Sequence, residues 1–103
     1  MEVLSFKLIT GVELVAEYLG VTGAGYKLRK PLQVHFLRGP DGSEQMAFSH
    51  WVLTANPDQD VELLDAVVAT KPLKPIQEIA ESYVQQTSSI IVPKAAAGQI
   101  LTS

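Results

Sequence analysis

The sequence predicts a mainly β fold, five short strands curling into one strongly bent sheet of the small-barrel kind, followed by one C-terminal α-helix and a tail. Three observations predict it. Turn signals recur at Thr10-Gly11, Thr22-Gly-Ala-Gly25, Gly39-Pro-Asp-Gly42 and Asn56-Pro-Asp-Gln-Asp60, cutting the first two thirds of the chain into segments of about ten residues, a spacing that suits antiparallel hairpins. Between Gly25 and Gly39 the side chains alternate, with Tyr26, Leu28, Leu32, Val34 and Phe36 on one face and Lys27, Arg29, Gln33 and His35 on the other. From Ile76 the period changes to that of a helix, with Ile76, Ile79, Ala80, Tyr83 and Val84 along one stripe.

The opening stretch Lys7-Leu-Ile-Thr-Gly-Val-Glu-Leu-Val-Ala-Glu-Tyr-Leu-Gly20 fits either period by itself. A helix there would run through Thr10-Gly11, where glycine costs about 1 kcal/mol relative to alanine, and its neighbours read as strands. Two strands joined at Thr10-Gly11 is therefore the reading adopted. The third strand carries Pro31, which requires a bend, a bulge or an edge position because proline donates nothing to a ladder. Gln45–Leu53 and Val61–Ala69 are rich in aromatic and branched residues and supply the fourth and fifth strands. Pro75 suits a first helical turn, and early Glu78 suits the positive end of the helix dipole. These signals divide the chain into a barrel over residues 1–72, a helix over 73–87 packed on it, and a tail over 88–103, in which Ile90 to Val92 could form a short pairing strand.

At 103 residues the chain has the length of a single domain, one that buries roughly 65% of its unfolded surface. A formal net charge of -3 argues against a broadly basic nucleic-acid-coating surface, so an anionic partner would have to meet a local patch. There is no cysteine, hence no disulfide framework and no cysteine-based metal site or nucleophile. No apolar run approaches the roughly 18 residues that cross a bilayer, and Met-Glu-Val-Leu-Ser lacks the basic start of a signal peptide. A cytoplasmic protein without membrane contact is the expectation.

No enzyme signature emerges, and no catalytic residue, cofactor or metal site is expected. His35 and His50 lie on different strands without a neighbouring carboxylate cluster in sequence, and adjacent Ser49 and His50 point to opposite faces of a strand. Gly20-Val-Thr-Gly-Ala-Gly25 joins two strands, with no helix N-terminus behind it to cradle a phosphate. Trp51 and Tyr83 read as packing or subunit-contact residues. The basic residues cluster locally: three of eight fall in Lys27-Leu-Arg-Lys30. Lys27, Arg29, Gln33 and His35 share a strand face beside Tyr26, a surface able to hold phosphates and stack a base of single-stranded nucleic acid. The same pattern also describes a solvated face whose charges discourage edge-to-edge aggregation.

Phe6-Lys-Leu-Ile-Thr-Gly-Val-Glu-Leu-Val-Ala-Glu-Tyr18 and Gly25-Tyr-Lys-Leu-Arg-Lys-Pro-Leu-Gln-Val34 resemble the first motif of the Sm-like superfamily, the LSm and Hfq type of small SH3-like barrel. The chain is similar in particular to the short Sm-like proteins of tailed phages of marine cyanobacteria. The resemblance covers residues 5–72. It implies a non-enzymatic ring, a homo-oligomer closed by pairing the fourth strand of one subunit with the fifth of the next, and binding of single-stranded RNA. The implied RNA-binding residues are Tyr26 as the stacking partner, Lys27 and Arg29 on phosphates, and His35 and Asn56 as further contacts. There are departures: Ala16 stands where the family has glycine, Gly23 and Lys27 where it has the motif's aspartate and base-reading asparagine, and Thr54-Ala-Asn-Pro57 where it has a basic residue and glycine. They leave a second expectation open, a structural or protein-interaction ring of phage origin that docks a phage or host protein and no nucleic acid.

Overall fold

The computed structural model describes residues 1–88, and the expected tail lies outside them apart from Ser88. Five strands form one antiparallel sheet: β1 (Val3–Lys7), β2 (Glu13–Val21), β3 (Gly25–Arg38), β4 (Glu44–His50) and β5 (Val61–Leu64). A single 3-10 turn, Asp65–Val67, follows β5, and the helix α1 spans Gln77–Ser88. The mainly β reading with one C-terminal helix therefore holds, and the opening stretch is strand, turn, strand. Its turn closes with the Gly11 N–H on the Leu8 carbonyl at 2.9 Å, and Gly11 sits at φ 95°, a conformation that disfavours any side chain. Phe6 falls opposite Leu14 and Leu4 opposite Ala16, so all four apolar side chains enter one core layer.

Strand β3 organises the sheet. Its first half pairs with β2 and β5, and its second half with β2 and β4. The expected interruption at Pro31 is a bulge: Val15 lies opposite Leu32 but Glu17 lies opposite Arg29, leaving an extra residue on β3, with Lys30 at φ 50°. A second shift between Tyr18 and Gly20 places the extra residue on β2. The bend sends Leu28 into one core cluster, with Leu4, Phe6, Leu8, Leu14, Ala16 and Leu63. It sends Leu32 into another, with Val15, Ile79 and Tyr83. The face read as uniformly apolar is thus split, and Phe36 at its far end is 63% exposed.

The expected fifth strand, Val61–Ala69, is corrected. Only Val61–Leu64 is strand, and it lies on the same edge of β3 as β4, collinear with it. The chain then turns through Asp65–Val67 and crosses to the outer edge of β1. There Ile9 N–H binds the Val67 carbonyl, Ala69 N–H binds Lys7, and Ser5 and Leu73 exchange bonds of 2.7 and 3.0 Å. One short turn thus links the two sides of the sheet, which is possible only because the sheet is strongly curled. The expected fourth strand is likewise shorter, since Trp51 to Leu53 belong to the loop over residues 51–60.

Helix α1 lies against β2 through Ile79 and Tyr83, one turn apart, packed on Val15 and Leu32. The buried stripe is narrower than the apolar pattern, because Ile76 is 64% and Val84 42% exposed where the helix overhangs the sheet. Burial of each large core side chain contributes roughly 1.5–3 kcal/mol.

Candidate functional site

The cationic strip is held by the first half of β3, between β2 on one side and β5 on the other. Register therefore decides its charge: Glu17 lies opposite Arg29, and Glu62 lies opposite Lys27. The Arg29 guanidinium sits 3.2 Å from one Asp60 carboxylate oxygen and 4.0 Å from Glu17, while Lys27 Nζ is 3.9 Å from the other Asp60 oxygen. The hydrogen bond and charge of Asp60 raise Arg29 further above its already high pKa. Glu62 accepts a short hydrogen bond from the Thr22 hydroxyl, which also accepts from the Gly25 N–H at 2.9 Å and so shapes the β2–β3 turn. Two cations are thus held by Glu17 and Asp60, with Glu62 opposite Lys27 in the register. Each exposed pair is worth only about 0–1 kcal/mol, but the carboxylates outnumber the cations, so the local field does not favour a phosphate backbone.

Tyr26 is half-buried. Its ring lies 5.8 Å from Phe6 and 6.3 Å from Tyr18, tilted to both, and its hydroxyl is 3.5 Å from Asp65. Partial burial, then the Asp65 carboxylate, raises its pKa. The ring is committed to an aromatic cluster on the core, with a fourth carboxylate at its polar end.

The remaining candidates lie elsewhere. His35 is on the second half of β3, beyond the bulge, with its Nε2 2.9 Å from the Ser49 hydroxyl on β4. Asn56 is exposed in the loop over 51–60, where its side-chain oxygen accepts the Asp58 N–H at 2.9 Å and caps a turn. Lys27 and Arg29 are brought together on Asp60, while Tyr26 packs on the core cluster and His35 and Asn56 hold separate local structures. Sequence reasoning missed Asp60 as the residue that binds both cations, since nothing in the spacing marks a loop aspartate as their neighbour.

It also missed Lys30. Among the described residues the Lys30 side chain makes no ion pair, and it lines a groove of about 260 Å³ with Leu32, Phe48, His50, Pro57 and Asp58. The bulge produces this, because the positive φ at Lys30 takes its side chain out of the alternation that would align it with Leu28 and Leu32.

Among the described residues no group of His, Asp and Glu side chains is placed to hold a metal ion, and no helix is long and apolar enough to cross a membrane. The second edge of β4 carries no strand among the described residues. Compared with known proteins, the chain matches no protein-family model and no curated protein.

Proposed function

We propose that the chain is a non-enzymatic, self-assembling protein of the Sm-like type that works through protein contacts, with its own copies and with a phage or host protein, and not by binding RNA. The carrying observation is the state of the strip that RNA would need: Lys27 and Arg29 are already held by Asp60 and Glu17, and Tyr26 is packed against Phe6 and Tyr18. Meanwhile the outer edge of β4 pairs with no strand among the described residues, and neighbouring β3 presents apolar Phe36 and Leu37, 63% and 54% exposed. The strand, glycine turn, strand of residues 3–21 and the sharply bent third strand support the Sm-like part of the reading.

Binding of single-stranded RNA is the second reading, and Lys30 favours it. A cation with no ion pair among the described residues, beside Phe48 and His50, offers a phosphate contact next to a ring.

Titration of a labelled oligouridine at about 50 mM salt separates the two, because phosphate contacts are strongest when counterions are scarce. The protein reading expects no saturable complex and multimers that survive nuclease. A saturable, salt-sensitive complex that weakens at least tenfold on Lys30→Ala, or on Lys27→Ala with Arg29→Ala, overturns it.

A further inference from the structure

We propose that β4 is the self-association edge and that it pairs with β4 of a second copy, antiparallel, about a two-fold axis through Ala47. The proposal rests on the self-assembly reading above and names its contact.

Antiparallel residue pairs alternate between those that exchange backbone bonds and those that do not, which fixes where the spare groups point. The β3–β4 ladder is pinned at both ends, by the Gly39 N–H on the Ser43 carbonyl at 2.7 Å and the Trp51 N–H on the Pro31 carbonyl at 3.1 Å. Counting inward through the register, Gln45, Ala47 and Ser49 spend their backbone groups on β3. Glu44, Met46, Phe48 and His50 therefore turn N–H and C=O away from β3, toward the open edge.

Such an edge invites another strand unless it is blunted, usually by lysine, proline or a bulge. Strand β4, Glu-Gln-Met-Ala-Phe-Ser-His, has none of these. The other exposed edge of the sheet has them: the segment over 67–73 carries Lys71 and Pro72, with Lys74 and Pro75 just beyond, and the Val68 N–H turns back to Asp65. That edge is protected, which leaves β4 as the edge that recruits a strand.

The strand is also complementary to its own reverse. Centred on Ala47, the antiparallel register sets Glu44 against the second copy's His50, Gln45 against Ser49 and Met46 against Phe48. The pairs that exchange bonds are then those with outward backbone groups on both strands, Glu44 with His50 and Met46 with Phe48, so the backbone phase agrees with the side-chain match. The thioether and ring of Met46 and Phe48 make a favourable cross-strand contact, and carboxylate against imidazole avoids like charges. Two strands meeting this way form a closed, isologous dimer.

The absence of cysteine makes the register directly testable. In this register Ala47 faces Ala47 as a pair that exchanges no backbone bonds, with Cα atoms about 4.5 Å apart, within disulfide reach. Ala47→Cys alone, under a glutathione redox buffer, is expected to give a covalent dimer at least tenfold faster than Gln45→Cys alone or Ser49→Cys alone. A mixture of the Gln45→Cys and Ser49→Cys proteins is expected to cross-link as a heterodimer. The register is overturned if Ala47→Cys stays uncross-linked while native mass spectrometry shows the unaltered protein to be multimeric, or if all three single variants cross-link at one rate. A monomeric unaltered protein at about 50 µM overturns the self-assembly reading together with the register. Circular dichroism of each variant confirms that the fold is kept.

Discussion

Tyr83 ties together three backbone groups that the β3 bulge would leave without partners. Its hydroxyl accepts the Glu17 N–H at 3.0 Å and lies 2.9 Å from each of the Arg29 and Lys30 carbonyls, toward which its single proton points. The ring is 1% exposed, and burial pushes the phenol up to about 12, partly offset by the Glu17 N–H. A folded-state value above the ordinary 10 means that the neutral form is the one the fold holds. The stability it contributes is therefore complete below pH 10 and is lost as pH rises through 10 to 12, by about 1.4 kcal/mol at pH 11. Urea unfolding at pH 7, 9 and 11 checks this. Tyr83→Phe is expected to cost about 1–3 kcal/mol at pH 7, because it strands buried backbone groups. It should also lose less stability than the unaltered protein between pH 9 and 11; equal alkaline losses would show that Tyr83 does not carry the effect. The sequence marked Tyr83 as a packing residue from its helical period, and the core bears that out. Its clamp on the bulge was not legible, because the three backbone groups come from strands more than fifty residues away and are left over by a register that only folding sets.

Among the elements, the hairpins were the legible part, since turn chemistry and alternation are local. The strand β5 was legible as a strand but not in its place or length. Its run of valine and leucine extends to Ala69, while Asp65–Val67 winds into a 3-10 turn because the chain must leave the β3 edge for β1. What seats β5 is Gly25. A Cβ there would collide with the Leu63 carbonyl oxygen and crowd the Asp65 N–H, whose bond to the Ala24 carbonyl starts the crossing. Gly25→Ala must push β5 off β3 and is expected to cost about 1–3 kcal/mol, as overpacking usually does. Gly23→Ala, two residues earlier in the same turn with open space around its Cβ, is expected to stay within about 0.5 kcal/mol. Denaturant midpoints of the two variants decide the matter; equal losses would place the sensitivity in the turn and not in the approach of β5. The candidate site followed the same division. The strand face carrying Lys27 and Arg29 could be read from alternation, whereas Asp60, Glu17 and Glu62 reach it only through strand pairing and a loop.

For the whole molecule, the collinearity of β4 and β5 makes the segment between them an insertion into a single edge strand and not a connection between neighbouring strands. Along β3, His50 faces Leu32 and Val61 faces Leu28, so the ladder resumes after only the bulge, yet the loop spends residues 51–60 on that gap. Two of its residues are bound to the body. Trp51 packs on the core cluster of Phe6 and Leu63 and donates its N–H to Pro31, and Asp60 holds Lys27 and Arg29. The residues between them, over 53–59, make short local turns, Ala55 back to Val52 and Gln59 back to Asn56, and are exposed. Replacing 53–59 by Gly-Gly leaves enough chain to span the gap, at about 3.3 Å per extended residue. Because closure entropy changes by only about 0.6 kcal/mol per doubling of loop length, stability is expected to stay within about 1 kcal/mol. Trp51 fluorescence and a cooperative urea transition report on it. A shortened chain that loses its cooperative transition would show that the loop is part of the fold. One that keeps both signals shows that β4 and β5 behave as one bent edge strand along β3 into which the loop is inserted.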